Sequence, residues 1–227
     1  MKYNFYFIHG WGFDSKFWSP VDELLRNEEC FNSSRLIDLG FFSKSKNFLK
    51  KKRSYLKDIF IVHSYGLNWF LKKKIECYAL INFFSAPNFI SFQKKRLIKK
   101  RMLIKMIKKF STSPEEVLDN FYENCGLSFY KKKREKLDIC NLLASLEDLS
   151  EEDLEEKFSN LTCKIFSIYS LSDKIFSPSR YLLEKKKSKD HQMKFLSSYS
   201  HGFPFLEPQK TLRIIINFIK IIENDTS

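Results

Sequence analysis

Short apolar runs punctuate the chain at Tyr3–Ile8, Arg35–Leu39, Ile59–His63, Tyr78–Phe84, Lys164–Tyr169 and Met193–Ser197. Most lack polar alternation, as expected of strands buried on both faces of a parallel sheet. Between them the spacing turns helical, at Val21–Arg26 and Leu67–Lys74. Near the end, Lys210–Glu223 gathers Leu212, Ile215, Ile216, Phe218, Ile219, Ile221 and Ile222 into a broad apolar face. Strands alternating with helices predict an α/β domain built on a mostly parallel sheet of about six strands. The rhythm breaks from about Ala86 to Phe158, where helical spacing with heavy charge replaces any strand pattern. The expected organisation is thus a core in two parts, 1–85 and 159–227, with a helical insertion, 86–158, between them. No internal repeat and no Gly/Ser or Pro linker marks a separate domain.

Composition narrows the class. A chain of 227 residues suits one well-buried domain, and 43% hydrophobic residues exclude wholesale disorder. There are 24 Phe but only 6 Gly, a skew that an AT-biased genome produces, so part of the net charge of +13 is compositional. The cysteines Cys30, Cys77, Cys125, Cys140 and Cys163 are scattered, with no C-x-x-C pair. That is neither a disulfide framework nor a zinc site, and it suits a reducing compartment. Tyr3–Ile8 is too short for a secretory leader. No run reaches the roughly 18 apolar residues of a membrane span. The expectation is a cytoplasmic protein, without stable membrane insertion and monomeric.

Three segments carry chemistry. Ile59-Phe-Ile-Val-His63-Ser64-Tyr65-Gly66-Leu67 runs from a β-branched strand through a Ser and a Gly into a helical pattern. Nucleophilic hydrolases set their Ser on such a strand-to-helix turn, although alone a Ser there is more often an ordinary helix cap. Asp173, in Ser170-Leu-Ser-Asp-Lys-Ile-Phe-Ser-Pro178, follows another strand and is placed either to orient an imidazole or to cap a turn. His201, in Ser200-His-Gly-Phe-Pro-Phe205, follows the last strand. A His there can take the proton of Ser64 and return it to a leaving group. The order Ser…Asp…His is that of strand–helix hydrolases rather than of the chymotrypsin or subtilisin types. A fourth segment, His9-Gly-Trp-Gly-Phe13, ends the first strand and offers the Trp11 amide, which with that of Tyr65 makes a two-donor oxyanion hole. Four of the six glycines (Gly10, Gly12, Gly66, Gly202) and three of the four histidines (His9, His63, His201) fall in these motifs, which argues against chance.

With these residues the chain resembles the α/β-hydrolase superfamily and, more narrowly, the pimeloyl-acyl carrier protein methyl ester esterases of biotin synthesis. The resemblance rests on His-Gly-Trp-Gly at 9–12 with Phe17-Trp18, Leu36-Ile-Asp-Leu-Gly40, and His63-Ser-Tyr-Gly66. Leu80-Ile-Asn-Phe-Phe-Ser-Ala-Pro87, Asp173-Lys-Ile-Phe-Ser-Pro178 and His201-Gly-Phe-Pro-Phe205 extend it nearly across the chain. It implies an α/β-hydrolase fold with a helical lid, and Ser64, Asp173 and His201 as the triad of a serine esterase. It further implies Trp11, Tyr65 and Phe203 in substrate binding, and the methyl ester of pimeloyl-acyl carrier protein as substrate. Other readings of the same triad are a short-chain esterase, a thioesterase, or an inactive relative that only binds acyl-carrier partners. Two departures stand out. Val62 replaces the first Gly of G-x-S-x-G and should crowd the turn, and the first core strand comes without the preceding hairpin of larger relatives.

The insertion holds a basic segment. Lys94–Phe110 carries nine Lys or Arg and no acid, with Ile98, Met102, Leu103, Met106, Ile107 and Phe110 on one helical face. One reading is a lid helix with a solvated outer face. The other adds a docking surface for an acidic acyl carrier protein, formed by Lys94, Lys95, Arg96, Lys99, Lys100 and Arg101 with Lys131, Lys132, Lys133 and Arg134. Nucleic-acid or membrane-surface binding would use the same charges but leave Ser64, Asp173 and His201 unexplained, so no nucleic-acid partner is expected. Ser150 before Glu151-Glu-Asp153 reads as a helix cap. Metal-ligand spacing and a Gly-rich phosphate loop are both absent from the sequence, so no metal and no cofactor are expected.

Overall fold

The structure is a computed structural model that describes residues 1–42, 57–130, 136–186 and 190–224. Six strands, β1 (Tyr3–Ile8), β2 (Phe31–Ile37), β3 (Lys57–His63), β4 (Ala79–Phe83), β5 (Lys164–Ser170) and β6 (His191–Leu196), form one sheet in the order β2-β1-β3-β4-β5-β6. Every adjacent pair is parallel. β4 is buried at every position, and β1 and β3 are buried along most of their length. That explains their unbroken apolar runs, since a strand covered on both faces has no solvent side to mark with polar residues. The edge strands differ from the pattern for the same reason. β2 begins at Phe31 and includes exposed Asn32 and Ser33, so its first half carries no apolar signal. β6 begins at His191 rather than Met193, and most of its residues are only partly covered.

Helices cover both faces. A 3-10 turn, Ser15–Trp18, leads into α1 (Ser19–Leu25), and α2 (Gly66–Lys72) follows β3 directly. Between β4 and β5 lie α3 (Arg96–Phe110), α4 (Pro114–Asn124), α5 (Ile139–Glu151) and α6 (Glu155–Ser159), the helical insertion that the sequence predicts. After β5 come α7 (Arg180–Lys185), the short α8 (Phe203–Leu206) and α9 (Pro208–Asn224). α9 buries Thr211, Ile214, Ile215, Phe218, Ile219 and Ile222, stacking Phe218 on Phe166 of β5 at 4.9 Å between ring centres. Ile221 is exposed, so the apolar face is narrower than the sequence suggests.

Ser150 does not start a helix. It lies buried in the last turn of α5, and its hydroxyl donates to Glu151 at 3.0 Å. The acidic stretch therefore closes α5, and the amide of Glu155 at the start of α6 donates to Asp153. Among the described residues, no helix is long and apolar enough to cross a membrane.

Candidate active site

β3 ends at His63 and α2 starts at Gly66, so Ser64 and Tyr65 alone make the turn. Ser64 has φ 51°, in the left-handed region. A non-glycine residue there stores about 1–3 kcal/mol and persists only where its surroundings enforce it. Two backbone hydrogen bonds do so: the Ser64 amide donates to Phe83 at 2.9 Å, and its carbonyl accepts from Leu67 at 3.0 Å. Close packing adds to this. A Cβ at Gly66 would sit 2.8 Å from the Ile8 carbonyl oxygen and 2.9 Å from that of His9. A Cβ at Gly10 would sit 2.7 Å from His63 Nδ1 and 2.9 Å from Ser64 Cβ. Val62 occupies an ordinary ladder position between Ile8 and Asn82, fully buried. The strain of the turn thus falls on Ser64, and Val62 is a regular core residue.

The carboxylate of Asp173 is fully used. Its Oδ1 accepts the amides of Ile175 at 2.8 Å and Phe176 at 3.1 Å, and its Oδ2 accepts Nδ1–H of His201 at 2.7 Å. Both side chains are fully buried. That bond fixes the His201 tautomer and leaves the lone pair on Nε2, which is buried and bonded to no protein atom. No hydrogen bond joins it to Ser64 in this conformation; such bonds commonly tighten only around substrate. The backbone of His201 is pinned from two sides. Its carbonyl accepts Nε2–H of His63 at 2.9 Å, and the next amide, Gly202, donates to Cys125 at 2.9 Å. Burial and the neighbouring His201 push the His63 imidazole well below the ordinary histidine range, so it stays neutral. The two rings lie 4.6 Å apart. Sequence reasoning gave His63 no role. The signal was its position next to Ser64, but its partner is 138 positions away.

A second Ser–His contact exists, Ser167 with His191 Nε2 at 2.8 Å, between β5 and β6. Ser167 is fully buried inside the sheet, where it also accepts from the Asn82 amide group at 3.2 Å, and Asp173 is engaged by His201.

The loop after β1 is held by His9, whose Nδ1–H donates to Gly10 while Nε2 accepts the Leu39 amide, both at 2.9 Å. The backbone amides of Trp11 and Tyr65 donate to no acceptor among the described residues. The Trp11 indole N–H donates to Leu142 of α5 at 2.8 Å, and its ring stands edge-on to Phe121 of α4 at 4.9 Å.

Above Ser64 and Trp11 lies a cavity of about 320 Å³. Its walls come largely from the insertion: Leu103 and Met106 of α3, Val117 and Phe121 of α4, Leu146 and Leu149 of α5. Of these faces the sequence marks only that of α3, with Leu103 and Met106, as apolar. Neither Tyr65 nor Phe203 contributes a wall. The Tyr65 phenol instead donates to Asp148 of α5 at 2.6 Å, and burial followed by that carboxylate raises its pKa above the ordinary tyrosine value. Phe203 is buried behind His201, against Tyr199 at 4.6 Å.

The basic segment splits. Lys94, Lys95, Arg96 and Arg101 are exposed, and Lys100 pairs with Glu151 at 3.6 Å. Lys99 lines the cavity. Lys131, Lys132, Lys133 and Arg134 lie outside the described residues. Leu103, Met106, Ile107 and Phe110 of α3 pack inward and Met102 lines the cavity while 56% exposed, whereas Ile98 is 52% exposed beside Leu97, at 68%. No group of three or more His, Cys, Asp or Glu among the described residues is placed to hold a metal ion.

The all-parallel sheet, the strained Ser at the β3–α2 turn and the helices between β4 and β5 define an α/β-hydrolase fold. Solved structures agree. An esterase from Exiguobacterium antarcticum is similar with a TM-score of 0.74 at 16% identity, covering 96% of this chain and 91% of that one. A bromoperoxidase from Bacillus anthracis matches at TM-score 0.71 and 13% identity, over 97% and 92%. MenH from S. aureus matches at 0.66 and 14%, over 96% and 93%. No family model matches the sequence, and no curated protein is significantly similar to it.

Proposed function

We propose that the protein is a serine esterase that hydrolyses the methyl ester of pimeloyl-acyl carrier protein. The observation that carries the hydrolase reading is the buried Asp173–His201 pair, with its free Nε2, beside a strained Ser64 that opens on an apolar cavity. Ser64 Oγ attacks the ester carbonyl while its proton passes to Nε2 of His201. Asp173 stabilises the imidazolium that results. The amides of Trp11 and Tyr65 receive the oxyanion, an interaction in which a single donor is worth about two to three orders of magnitude in turnover. Collapse expels methanol, protonated by His201, and leaves an acyl ester on Ser64. Water deprotonated by His201 then splits that ester, releasing the acid and restoring Ser64.

Two features support an acyl chain on a carrier. The cavity walls are mostly apolar, and a CH₂ group buried there contributes roughly 0.8 kcal/mol. The outer side of α3 presents exposed Leu97 and Ile98 among Lys94, Lys95, Arg96 and Arg101, an apolar patch ringed by positive charge that suits an acidic protein. Incubation with methyl pimeloyl-carrier protein should release the free acid, and Ser64→Ala should lower the rate at least about a thousandfold. Cleavage of simple short-chain esters without cleavage of the carrier-bound ester would leave a general esterase.

A further inference from the structure

Among the described residues the walls of the cavity above Ser64 include no Asp or Glu, yet four lysines reach it: Lys99, Lys105, Lys109 and Lys174. Lys109 is paired outside the cavity with Glu116. Lys99 is different. It is partly buried, and no carboxylate of the described residues lies within ion-pair distance of it. Its ammonium donates to the main-chain carbonyl of Lys174 at 2.6 Å. One carbonyl leaves two of its three N–H donors for other partners. That carbonyl belongs to the residue after Asp173, so Lys99 is anchored to the loop that carries the triad acid. Burial pushes the ammonium below the ordinary lysine value, with Asp173 acting in the opposite direction. A cation set among apolar walls disfavours a neutral chain lying against it and favours a chain that brings its own negative charge.

We propose that Lys99 binds an anionic group borne on the acyl side of the substrate, so that the cavity selects carboxylate- or phosphate-bearing esters over neutral ones of equal length. The inference rests on the hydrolase reading and assigns its substrate class. Lys99 then acts inside the cavity as a specificity residue, apart from the exposed lysines of α3.

Two substrate pairs test it and separate the sources of the anion. The first is a 4-nitrophenyl ester of a straight-chain acid ending in methyl, against its equal ending in carboxylate. The second is a methyl ester of a dicarboxylic acid thioesterified to pantetheine, against the same chain on phosphopantetheine. In at least one pair the anionic member should show the higher kcat/KM, and Lys99→Met should reduce that preference about tenfold, the worth of a charge-assisted hydrogen bond. The pair that responds identifies carboxylate or phosphate. Lys99→Arg should keep the preference, and so should Lys108→Met, an exposed change on the same helix. Cleavage without preference in both pairs, or a preference that Lys99→Met leaves intact, overturns the inference and leaves the hydrolase reading standing. If no ester is cleaved and a fluorophosphonate leaves Ser64 unlabelled, the hydrolase reading fails and this inference with it.

Discussion

At Ser64 the left-handed backbone and the contacts of Gly10 and Gly66 are parts of one device: two main-chain segments pressed together so that a hydroxyl stands above the sheet. Gly66→Ala places a methyl 2.8 Å from the Ile8 carbonyl oxygen, with backbone rather than a flexible side chain in the way. Overpacking of this kind destabilises by about 1–3 kcal/mol. A lower urea midpoint with an unchanged slope is the expected result. His63 makes a prediction about pH. Its folded-state pKa is depressed by burial and by His201, so the unfolded chain binds the proton more readily. The stability it contributes is present above the unfolded value of about 6.5 and is lost as pH falls from there toward the folded pKa. Unfolding at pH 7.5, 6.0 and 5.0 should show wild type weakening faster than His63→Gln. Parallel curves would contradict the assignment.

The elements divide between those legible from pattern and those defined by contact. β1, β3, β4 and β5 were readable because burial on both faces leaves an unbroken apolar run. The first half of β2 was not, since an edge strand is held by main-chain pairing to β1 that polar residues such as Asn32 and Ser33 make equally well. Ser64 and His201 were readable because each sits at a strand end next to a scarce Gly or His, whereas Asp173 had only its strand-end position and the resemblance. The cavity walls and the tether of the insertion were not, because they join positions far apart in sequence. Tyr65 and Lys72 of the elbow and α2 meet Asp148 of α5 at 2.6 and 2.9 Å, and Lys72 also meets Glu152 at 2.8 Å. This cluster fastens the insertion to the Ser64 turn. Tyr65→Phe removes one hydrogen bond to a carboxylate, and an effect on stability of about 1.5–3 kcal/mol follows. Amides of α5 should then exchange with deuterium faster than those of α9, which lacks this tether. Equal change in both helices would mean that the bond does not hold the insertion down.

For the whole molecule, the net charge of +13 combines compositional drift with a basic α3 that stands beside the cavity mouth. A composition cannot say which lysines face a substrate; the structure separates Lys99, inside, from Lys94, Lys95, Arg96 and Arg101, outside. Encounter with an acidic carrier should weaken steeply with salt, while hydrolysis of a neutral small ester should not. Rates measured from 20 to 500 mM NaCl distinguish the two. A similar salt response for both substrates would remove the carrier from the account. The proposed activity requires that one serine, Ser64, positioned by β3 and α2 and served by His201 and Asp173, act as a nucleophile. Peptide mapping after treatment with a fluorophosphonate tests it most directly. A single adduct on Ser64, abolished by His201→Ala, is the predicted outcome; no adduct, or an adduct on Ser167 instead, would contradict it.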